Sequence, residues 1–265
     1  MRTLSGAPVR YDEGEMMLSE RERERYKRQM LLFGDDGQER LKKAHIFIAG
    51  AGGLGSPIAL YLAVAGIGTL TVVDNDVVDQ SNLNRQILHY DRDIGRKKTA
   101  SAEEKLRAAN PDITVKVIDA TIDASNAGAL IGNADGIVDA MDNYPARYIL
   151  NDVAITKDIP LFHGGIRGFY GQATTIIPHK TACLRCIFPH APPQEVVPVV
   201  GVTPGLIGMI QATEVLKYLL NDGELLTNRL FIWDGMQVHT EEIALERDPR
   251  CAACGDLTIK KRKKK

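Results

Sequence analysis

The clearest pattern in the chain is a short apolar run, a cluster of glycines and a longer apolar run, all within residues 46–65. The first run, Ile46 to Ala49, has the length and composition of a buried strand, and the second has those of a buried helix. Glycines between a strand and a helix predict a tight turn that leaves backbone N–H groups free. We therefore expect a strand, a glycine turn and a helix in direct succession.

Two later apolar runs, Thr69 to Asp74 and Gly136 to Asp142, read as buried strands that each end on an acidic residue. Strands that alternate with helical patterns are typical of a parallel sheet, whereas the patterns over 229–234 and 242–246 predict a closing hairpin. The other predicted elements are helices over 21–32, 38–43, 95–109, 124–131, 144–156 and 206–220, and strands over 114–120 and 172–177. This order predicts the α/β class, as a Rossmann-like open sheet that is mostly parallel with an antiparallel C-terminal extension.

The patterned part of the chain reads as one domain, residues 18–256, that begins with a charged helical arm. Residues 1–17 show no periodicity and predict a flexible lead-in, and residues 257–265 form a basic tail. The pattern loosens over 161–171. Prolines within 187–205 predict an extended crossing segment rather than a helix.

Composition narrows the class of protein. Of the 265 residues 44% are hydrophobic, which is enough for a full core. No apolar run reaches the roughly 18–20 residues that a membrane span needs, and the first residues are charged, so we expect neither a signal peptide nor an anchor and a cytoplasmic location. The formal charge is −1 although the last six residues are all basic, so the rest of the chain is acidic. We interpret the tail as solvated and do not expect nucleic acid as a partner.

All four cysteines fall into two Cys-x-x-Cys pairs, Cys183 with Cys186 and Cys251 with Cys254. In a cytosolic chain this spacing favours metal binding over a disulfide. Four thiolates complete a tetrahedral Zn²⁺ site without an open position, which is a structural site. A redox-active pair is the competing interpretation, but it does not explain why there are two pairs.

The glycine turn is a candidate phosphate site. Gly50 permits the tight turn, Gly52 lets the backbone approach an anion, and Gly55 lets the helix pack against the strand. Asp74 follows at about the distance where this fold places a carboxylate on a ribose. Tight packing of strand against helix is the alternative explanation of the same glycines.

Polar side chains follow the predicted strand ends, where open α/β sheets bind ligands. Asn82 and Arg85 lie in the first such loop, and Lys98 begins a helix whose dipole disfavours a cation, so phosphate contact explains it better than helix stability; a solvated lysine is the alternative. Asp142 is a candidate Mg²⁺ ligand, or the cap of the next helix, or both. We interpret the lone His163 as structural rather than catalytic.

Seven features in this order and spacing resemble the adenylyltransferases of the ThiF/MoeB/HesA family, relatives of ubiquitin-activating enzymes that activate ubiquitin-like sulfur carriers. The resemblance covers nearly everything from Leu18 to Gly255. Its features are Arg25-Tyr-Lys-Arg28-Gln29, Gly50-Ala-Gly52-Gly53-Leu-Gly55, Asp74-Asn-Asp76, Ser81-Asn82-Leu-Asn84-Arg85-Gln86, Gly95-Arg-Lys-Lys98, Asp142-Asn143 and the two cysteine pairs.

The resemblance implies an ATP site and a homodimer. Asp74 is expected on the ribose, Asp142 on Mg²⁺, and Arg28 on the triphosphate of the neighbouring subunit, with Arg28, Arg85, Lys98 and Asp142 as the catalytic residues. The expected nucleotide-binding residues are Gly50, Gly52, Gly53, Gly55, Asp74, Asn82, Arg85, Gln86, Lys98, Asp142 and Asn143. In the implied reaction, the C-terminal carboxylate of a carrier attacks the α-phosphate of ATP and pyrophosphate leaves.

One departure from the family affects the expected reaction. Many relatives have a reactive cysteine shortly before a Gly-Val pair, whereas the segment before Gly201 and Val202 has none. We therefore expect the reaction to stop at the acyl-adenylate. The acyl substrate is then a Gly-Gly-ended carrier or, alternatively, a small-molecule or peptide carboxylate. A nicotinamide-dependent dehydrogenase and a non-catalytic nucleotide-binding scaffold are the other classes of function.

Overall fold

The computed structural model describes residues 18–191 and 197–255. The predicted lead-in, residues 1–17, and the predicted tail, 257–265, lie outside the described residues, as do residues 192–196 of the crossing segment. The predicted division of the chain into lead-in, domain and tail therefore stays a prediction.

Eight strands form one sheet in the described part of the chain. They are β1 His45–Ala49, β2 Thr69–Asp74, β3 Thr114–Asp119, β4 Gly136–Asp139, β5 Leu161–Arg167, β6 Tyr170–Ile176, β7 Arg229–Asp234 and β8 His239–Ala244. Their order is β3-β2-β1-β4-β5-β6-β7-β8, with parallel pairing from β3 to β5 and antiparallel pairing from β5 to β8. This confirms the predicted fold class.

Helices cover both faces of the sheet. They are α1 Glu20–Lys43, α2 Gly55–Ala65, α3 Lys98–Ala109, α4 Ala127–Ile131, α5 Tyr144–Lys157, α6 Leu184–Ile187 and α7 Val202–Leu220, with short 3₁₀ turns at Gln80–Asn82 and Asp91–Asp93. Among the described helices, none combines the length and the apolar character that a bilayer crossing demands.

Side chains of successive residues in β1 alternate between two hydrophobic cores. Ile46 and Ile48 belong to the core that packs under α2, α3 and α7, while Phe47 and Ala49 belong to the core under α4 and α5. A strand that is buried on both faces explains why this run is continuously apolar rather than alternating. The two cores hold the carboxyl ends of β1, β2 and β4 at one edge of the sheet.

The charged helix α1 begins with the predicted capping box, in which Ser19 and Glu22 each accept a hydrogen bond from the other's backbone N–H. It is interrupted at Gly34, where φ is +68° and ψ is −174°. The sequence predicted two helices separated by residues 34–37. The interruption is narrower than predicted because Gly34 alone takes the non-helical conformation.

Two predictions about irregular segments were wrong. Residues 161–167 form a regular strand that returns through a two-residue turn, where Gly168 takes φ +58°; the glycines in this segment concealed the strand. The second error concerns α7, which begins at Val202 rather than at 206. Pro204 lies in its first turn, where the missing N–H would have no helical partner in any case, so this proline does not prevent the helix.

Candidate nucleotide site and cysteine cluster

Packing against the protein itself requires two glycines of the turn. Gly50 has φ +101°, and a Cβ there would lie 2.7 Å from the carbonyl oxygen of Ala140. A Cβ on Gly55 would lie 1.9 Å from the carbonyl oxygen of Gly50. At Gly52, in contrast, the nearest atom would be 3.6 Å away, on Gln86. The protein's own packing therefore does not explain why residue 52 is a glycine, and close approach of a ligand to the backbone is the explanation that remains.

Two helices begin beside this turn. The first is α2, whose N-cap residue Leu54 makes no side-chain capping bond, and no acidic residue lies in its first turn. The second is α7, where Pro204 would lie 3.4 Å from a Cβ on Gly53. Uncapped helix N-termini carry free N–H groups and partial positive charge, so this edge of the sheet is suited to an anion.

Asp74 ends β2 and holds the glycine turn. Its Oδ2 accepts a hydrogen bond from the N–H of Ala51 at 2.8 Å, and its Oδ1 accepts one from the N–H of Asp76 at 2.9 Å. Each carboxylate oxygen has further acceptor capacity, because a carboxylate offers about four lone-pair sites. Asp74 can thus fix the turn and accept hydroxyl hydrogens of a ligand together.

The loop after β2 brings Arg85 and Gln86 to the turn. The Arg85 guanidinium donates to the carbonyl of Ser81 at 2.8 Å and to Oδ1 of Asn84 at 2.9 Å, and its Cγ would lie 3.5 Å from a Cβ on Gly53. Asn82 is used locally, since its Oδ1 accepts from the N–H of Asp79. Gln86 is buried, and within the described residues its Oε1 has no hydrogen-bond partner.

Lys98 is not a solvated surface lysine. Its side chain is 7% exposed, and its Nζ lies 2.8 Å from Oδ2 of Asp76. The alternative interpretation, a lysine in solvent, is therefore wrong. The sequence did not predict the role of Asp76, which holds the ammonium group of Lys98 near the end of β2. The position of Asp76, two residues beyond that strand end, was the signal that could have indicated this role.

The residue that caps α5 is Asn143 rather than Asp142. The Asn143 side chain accepts a hydrogen bond from the N–H of Ala146 at 3.0 Å, and Asp142 remains exposed. An extended residue immediately before the helix is the one whose side chain reaches the free N–H groups, and Asn143 has that position. Asp142 Oδ1 accepts a hydrogen bond from Asn143 Nδ2 at 3.2 Å, and the exposed carboxylate has further acceptor capacity for a ligand or a cation. Asp142 lies two residues after Ala140, whose carbonyl oxygen lies close to Gly50 of the glycine turn.

A buried ionic cluster supports the loop that carries Asp142. His163 and Asp139 are fully buried, and His163 Nδ1 donates to Asp139 Oδ2 at 2.7 Å. Arg147 donates through Nε and Nη2 to the carbonyl of Met141, at 3.1 and 2.6 Å, and the N–H of Met141 donates to Asp139. Burial lowers the pKa of His163, and Asp139 only partly opposes that shift. The position of His163 agrees with the structural role that we predicted.

Arg28 is the one predicted catalytic residue that the fold does not bring close to the glycine turn. It lies on the first half of α1, and the next residue, Gln29, donates to the carbonyl of Ala65 at 2.8 Å. Ala65 ends α2, and a helix of 11 residues is about 16 Å long. Arg28 is therefore at the end of α2 that is remote from the glycine turn. Its side chain is exposed and makes no ion pair within residues 18–191 and 197–255.

The four cysteines come together in one cluster, formed by the short helix α6 and the chain after β8. The sulfur separations are 3.8 Å for Cys183–Cys186, 3.7 Å for Cys183–Cys251 and 3.4 Å for Cys186–Cys254. Four sulfurs about 2.3 Å from a central Zn²⁺ are about 3.8 Å apart in a tetrahedron. Burial raises the pKa of the Cys183 and Cys186 thiols and opposes the lowering of the Cys251 pKa by hydrogen bonds from the backbone of Cys254 and Ala253, so a bound cation would favour all four as thiolates. The cluster fits a closed structural metal site.

Comparison with known proteins gives this architecture a family. The model of the ThiF family matches residues 26–253. A SAMP-activating enzyme E1 of Haloferax volcanii is 45% identical over 241 residues, covering 88% of this chain and 89% of its own. A sulfur carrier protein adenylyltransferase of Thermus thermophilus is 40% identical over 255 residues, covering 91% of this chain and 94% of its own.

Solved structures support the fold. A crystal structure of E. coli MccB with ATP superposes with a TM-score of 0.76 at 24% identity, covering 87% of this chain and 74% of MccB. At that identity the likeness shows the fold alone. The family match over residues 26–253 and the two relatives that match along most of their length establish that this chain is an adenylyltransferase of the ThiF family.

Proposed function

We propose that this chain uses ATP to adenylate the C-terminal Gly-Gly carboxylate of a ubiquitin-like sulfur carrier protein, releasing pyrophosphate. The observation that carries the proposal is the convergence of cationic and anion-binding groups at one edge of the sheet. Arg85 and Lys98 lie beside an uncapped helix N-terminus and a glycine turn in which the protein's own packing does not require Gly52. A dehydrogenase would need the turn and Asp74 but has no use for the two cations.

The residues can perform the reaction without a protein base, because a carboxylate is already ionised at neutral pH. The free N–H groups of the turn would bind the phosphates, and Asp74 the ribose. Arg85 and Lys98 would neutralise the charge that develops on the leaving pyrophosphate, which is the main task in phosphoryl-type chemistry. The exposed Asp142 carboxylate fits a Mg²⁺ site, and a bound Mg²⁺ would supply further neutralisation.

The related enzymes support a carrier protein as the acyl substrate. The Thermus thermophilus relative is named for a sulfur carrier protein, and the Haloferax volcanii relative for activation of SAMP. All four cysteines of the sequence lie in the cysteine cluster that fits a metal. No thiol is left over for a thioester on this chain, so we infer that its reaction ends at the adenylate. The molybdopterin, thiamin and tRNA-thiolation pathways remain the candidate destinations, and a cytoplasmic location remains a prediction.

A homodimer in which Arg28 serves the partner's site accounts for the exposed face of α1. Leu31 and Leu32, one helical turn beyond Arg28, are 80% and 86% exposed. Residues three and four apart share a helix face, so two apolar side chains and an unpaired cation lie together on the surface. A second copy would bury the leucines and receive the arginine, whereas an isolated chain leaves all three without a function.

Pyrophosphate exchange into ATP tests the reaction and its substrate. A Gly-Gly-ended carrier should stimulate exchange strongly, and the same carrier lacking its last glycine should not. Stimulation by a metabolite acid or a short peptide instead of the carrier would overturn the carrier proposal and favour the alternative acyl substrate. Binding of NADH without binding of ATP would overturn adenylation itself.

Mixing two inactive variants tests the dimer. In a hybrid of Arg28→Ala and Arg85→Ala subunits, one site has both its own Arg85 and the partner's Arg28. Random exchange of subunits should therefore restore about one quarter of the wild-type exchange activity. If Arg28 acts in its own subunit, the mixture stays inactive. Leu31→Asp with Leu32→Asp should shift the protein to monomers in analytical ultracentrifugation.

A further inference from the structure

A buried chain of three polar side chains leads from α3 to the back of the glycine turn. Lys105 Nζ donates to Ser101 Oγ at 2.8 Å, Ser101 Oγ lies 2.9 Å from His89 Nδ1, and His89 Nε2 lies 3.0 Å from the carbonyl oxygen of Ala51. Lys105, Ser101 and His89 are 8%, 0% and 3% exposed. None of these three residues has a role in the proposed reaction.

The chemistry of the three groups fixes the direction of every hydrogen bond. The Ala51 carbonyl only accepts, so His89 Nε2 carries the ring hydrogen and donates to Ala51. Nδ1 of the neutral ring is then an acceptor for the Ser101 hydroxyl, which itself accepts from the Lys105 ammonium group. Burial lowers the pKa of His89, in agreement with a neutral ring. The charge of Lys105 is balanced by the buried carboxylate of Asp93, which contacts its ammonium group.

The Ala51 carbonyl belongs to the peptide unit that precedes Gly52. In a planar trans peptide the carbonyl oxygen and the following N–H point in opposite directions. Because His89 binds the oxygen from inside the protein, the Gly52 N–H points away from His89, and Gly52 itself is partly exposed. Within the described residues this N–H donates to no acceptor. Asp74 holds the same residue from its other side, through the N–H of Ala51.

We propose that His89 is a positioning residue for the nucleotide: its Nε2–H fixes the Ala51–Gly52 peptide so that the Gly52 N–H is presented to a phosphate oxygen. Ser56 Oγ donates to the same carbonyl at 3.2 Å, so His89 supplies the shorter of the two hydrogen bonds that orient this peptide. Without His89 only the longer bond opposes rotation of the peptide, and glycine permits both orientations. Ser101 and Lys105 contribute by fixing the tautomer. The inference rests on the proposed function only in that the ligand is a nucleotide phosphate.

Two near-isosteric variants separate this role from simple packing. The amide nitrogen of Gln reaches the place of Nε2, whereas that of Asn reaches only the place of Nδ1. His89→Gln should keep the donor to Ala51 and bind ATP within about twofold of wild type, while His89→Asn should weaken ATP binding about three- to tenfold. Calorimetric titration of the full chain with ATP, which requires no turnover, measures both. In exchange assays His89→Asn should raise the KM for ATP and leave kcat and the KM for the acyl substrate nearly unchanged.

Controls make each outcome decisive. His45 begins β1 at the opposite edge of the sheet and contacts Thr71 Oγ1 at 2.8 Å, so His45→Asn removes a comparable histidine without affecting ATP binding. If His89→Asn does not fold, Ser101→Ala keeps the ring but releases its tautomer, and we expect a smaller but measurable loss of ATP affinity. Equal ATP affinity of the His89→Asn, Ser101→Ala and wild-type proteins would overturn the proposal, as would equal losses in His89→Gln and His89→Asn. Wild-type ATP binding without any exchange activity would instead contradict the proposed reaction.

Discussion

Lys98 Nζ lies 2.8 Å from Oδ2 of Asp76, and the backbone N–H of Lys98 donates to the Asp76 carbonyl at 3.0 Å. The first residue of α3 is thus fixed twice to the loop that follows β2. A cation in the first turn works against the helix dipole. The pair explains how the ammonium group is nevertheless kept beside the phosphate site.

The first prediction concerns this lysine. We expect Lys98→Met to reduce pyrophosphate exchange by about 100-fold or more, because an ammonium group that meets developing phosphate charge contributes several kcal/mol. Stability should change by less than about 1 kcal/mol, since the lost pair with the largely exposed Asp76 and the relieved helix dipole oppose each other. Exchange kinetics and urea unfolding measure the two effects.

Lys97→Met is the matched control for that experiment. Lys97 precedes Lys98 and forms an ion pair with Asp119 at 3.1 Å, with both side chains nearly half exposed. Its removal should leave exchange within about twofold of wild type, because an exposed pair contributes little. Similar losses in both variants would show that local basic charge, rather than the placement of Lys98, determines the activity.

The second prediction concerns the metal. Elemental analysis should find one zinc per chain, and removing it with a strong chelator should lower the Tm by about 10 °C or more, because structural zinc contributes several kcal/mol to folding. Cys251→Ser should have the same effect, since it removes one of the four ligands. Re-addition of Zn²⁺ should restore the Tm of the wild type only. An unchanged Tm after complete zinc removal would contradict a structural role.

Much of this site could be predicted because its signals are local in sequence. The glycines of the turn, Asp74 at a strand end and the two cysteine pairs each combine a residue type with a fixed spacing. The contacts that could not be predicted join distant segments. Asp139 and His163 are adjacent only because β4 and β5 pair in parallel, and Lys98 reaches Asp76 only because the chain between them folds back.

The assignment of a cap shows a second limit. Asp142 and Asn143 are neighbours with similar side chains, and both suit a helix N-terminus. The choice depends on which residue takes the extended conformation immediately before the helix, and that residue is Asn143. The strand β4 also ends earlier than predicted, at Asp139 rather than at Asp142. The proline-rich segment shows the same limit, since Pro204 is compatible with both an extended chain and the first turn of α7.

The third prediction is a pH dependence that arises from buried histidines. Burial lowers the pKa of His163 below its usual value of about 6.5, and the pKa values of His45 and His89 are lowered in the same direction and for the same main reason. Below about pH 6.5 the unfolded chain therefore binds more protons than the folded chain. The contribution of these histidines to the free energy of unfolding is therefore fully present above about pH 6.5. It decreases as the pH falls from there toward the folded-state pKa values.

Urea unfolding at pH 7.5 and pH 5.5 measures this dependence. Each histidine should contribute up to about 1.4 kcal/mol of loss over that interval, because its unfolded-state pKa of about 6.5 lies at the middle of the interval. His163→Asn keeps a donor to Asp139 but cannot titrate, so its loss should be smaller than that of the wild type by about 1 kcal/mol. An identical loss in the variant would mean that His163 takes up its proton in the folded state.

The fourth prediction compares two buried glutamines, each with an Oε1 that has no partner among the described residues. Gln211 is needed by the fold, because its Nε2 donates to the carbonyls of Asp139 and Phe162, both at 2.9 Å. The Nε2 of Gln86 would lie 3.6 Å from a Cβ on Gly52, so the Gln86 side chain borders the glycine turn. We interpret its unsatisfied oxygen as an acceptor reserved for the ligand, since an unpaired buried polar group costs about 1–3 kcal/mol.

Leucine at each position should therefore have opposite effects on stability. Gln86→Leu should raise the free energy of unfolding by about 1 kcal/mol, because the unsatisfied oxygen is removed, and weaken ATP binding by about tenfold. Gln211→Leu should lower the free energy of unfolding by about 2 kcal/mol or more, because two buried carbonyls lose their donor. Urea unfolding and ATP titration of both variants decide the matter: a Gln86→Leu protein that is less stable but binds ATP normally would place Gln86 in the packing rather than in the nucleotide site.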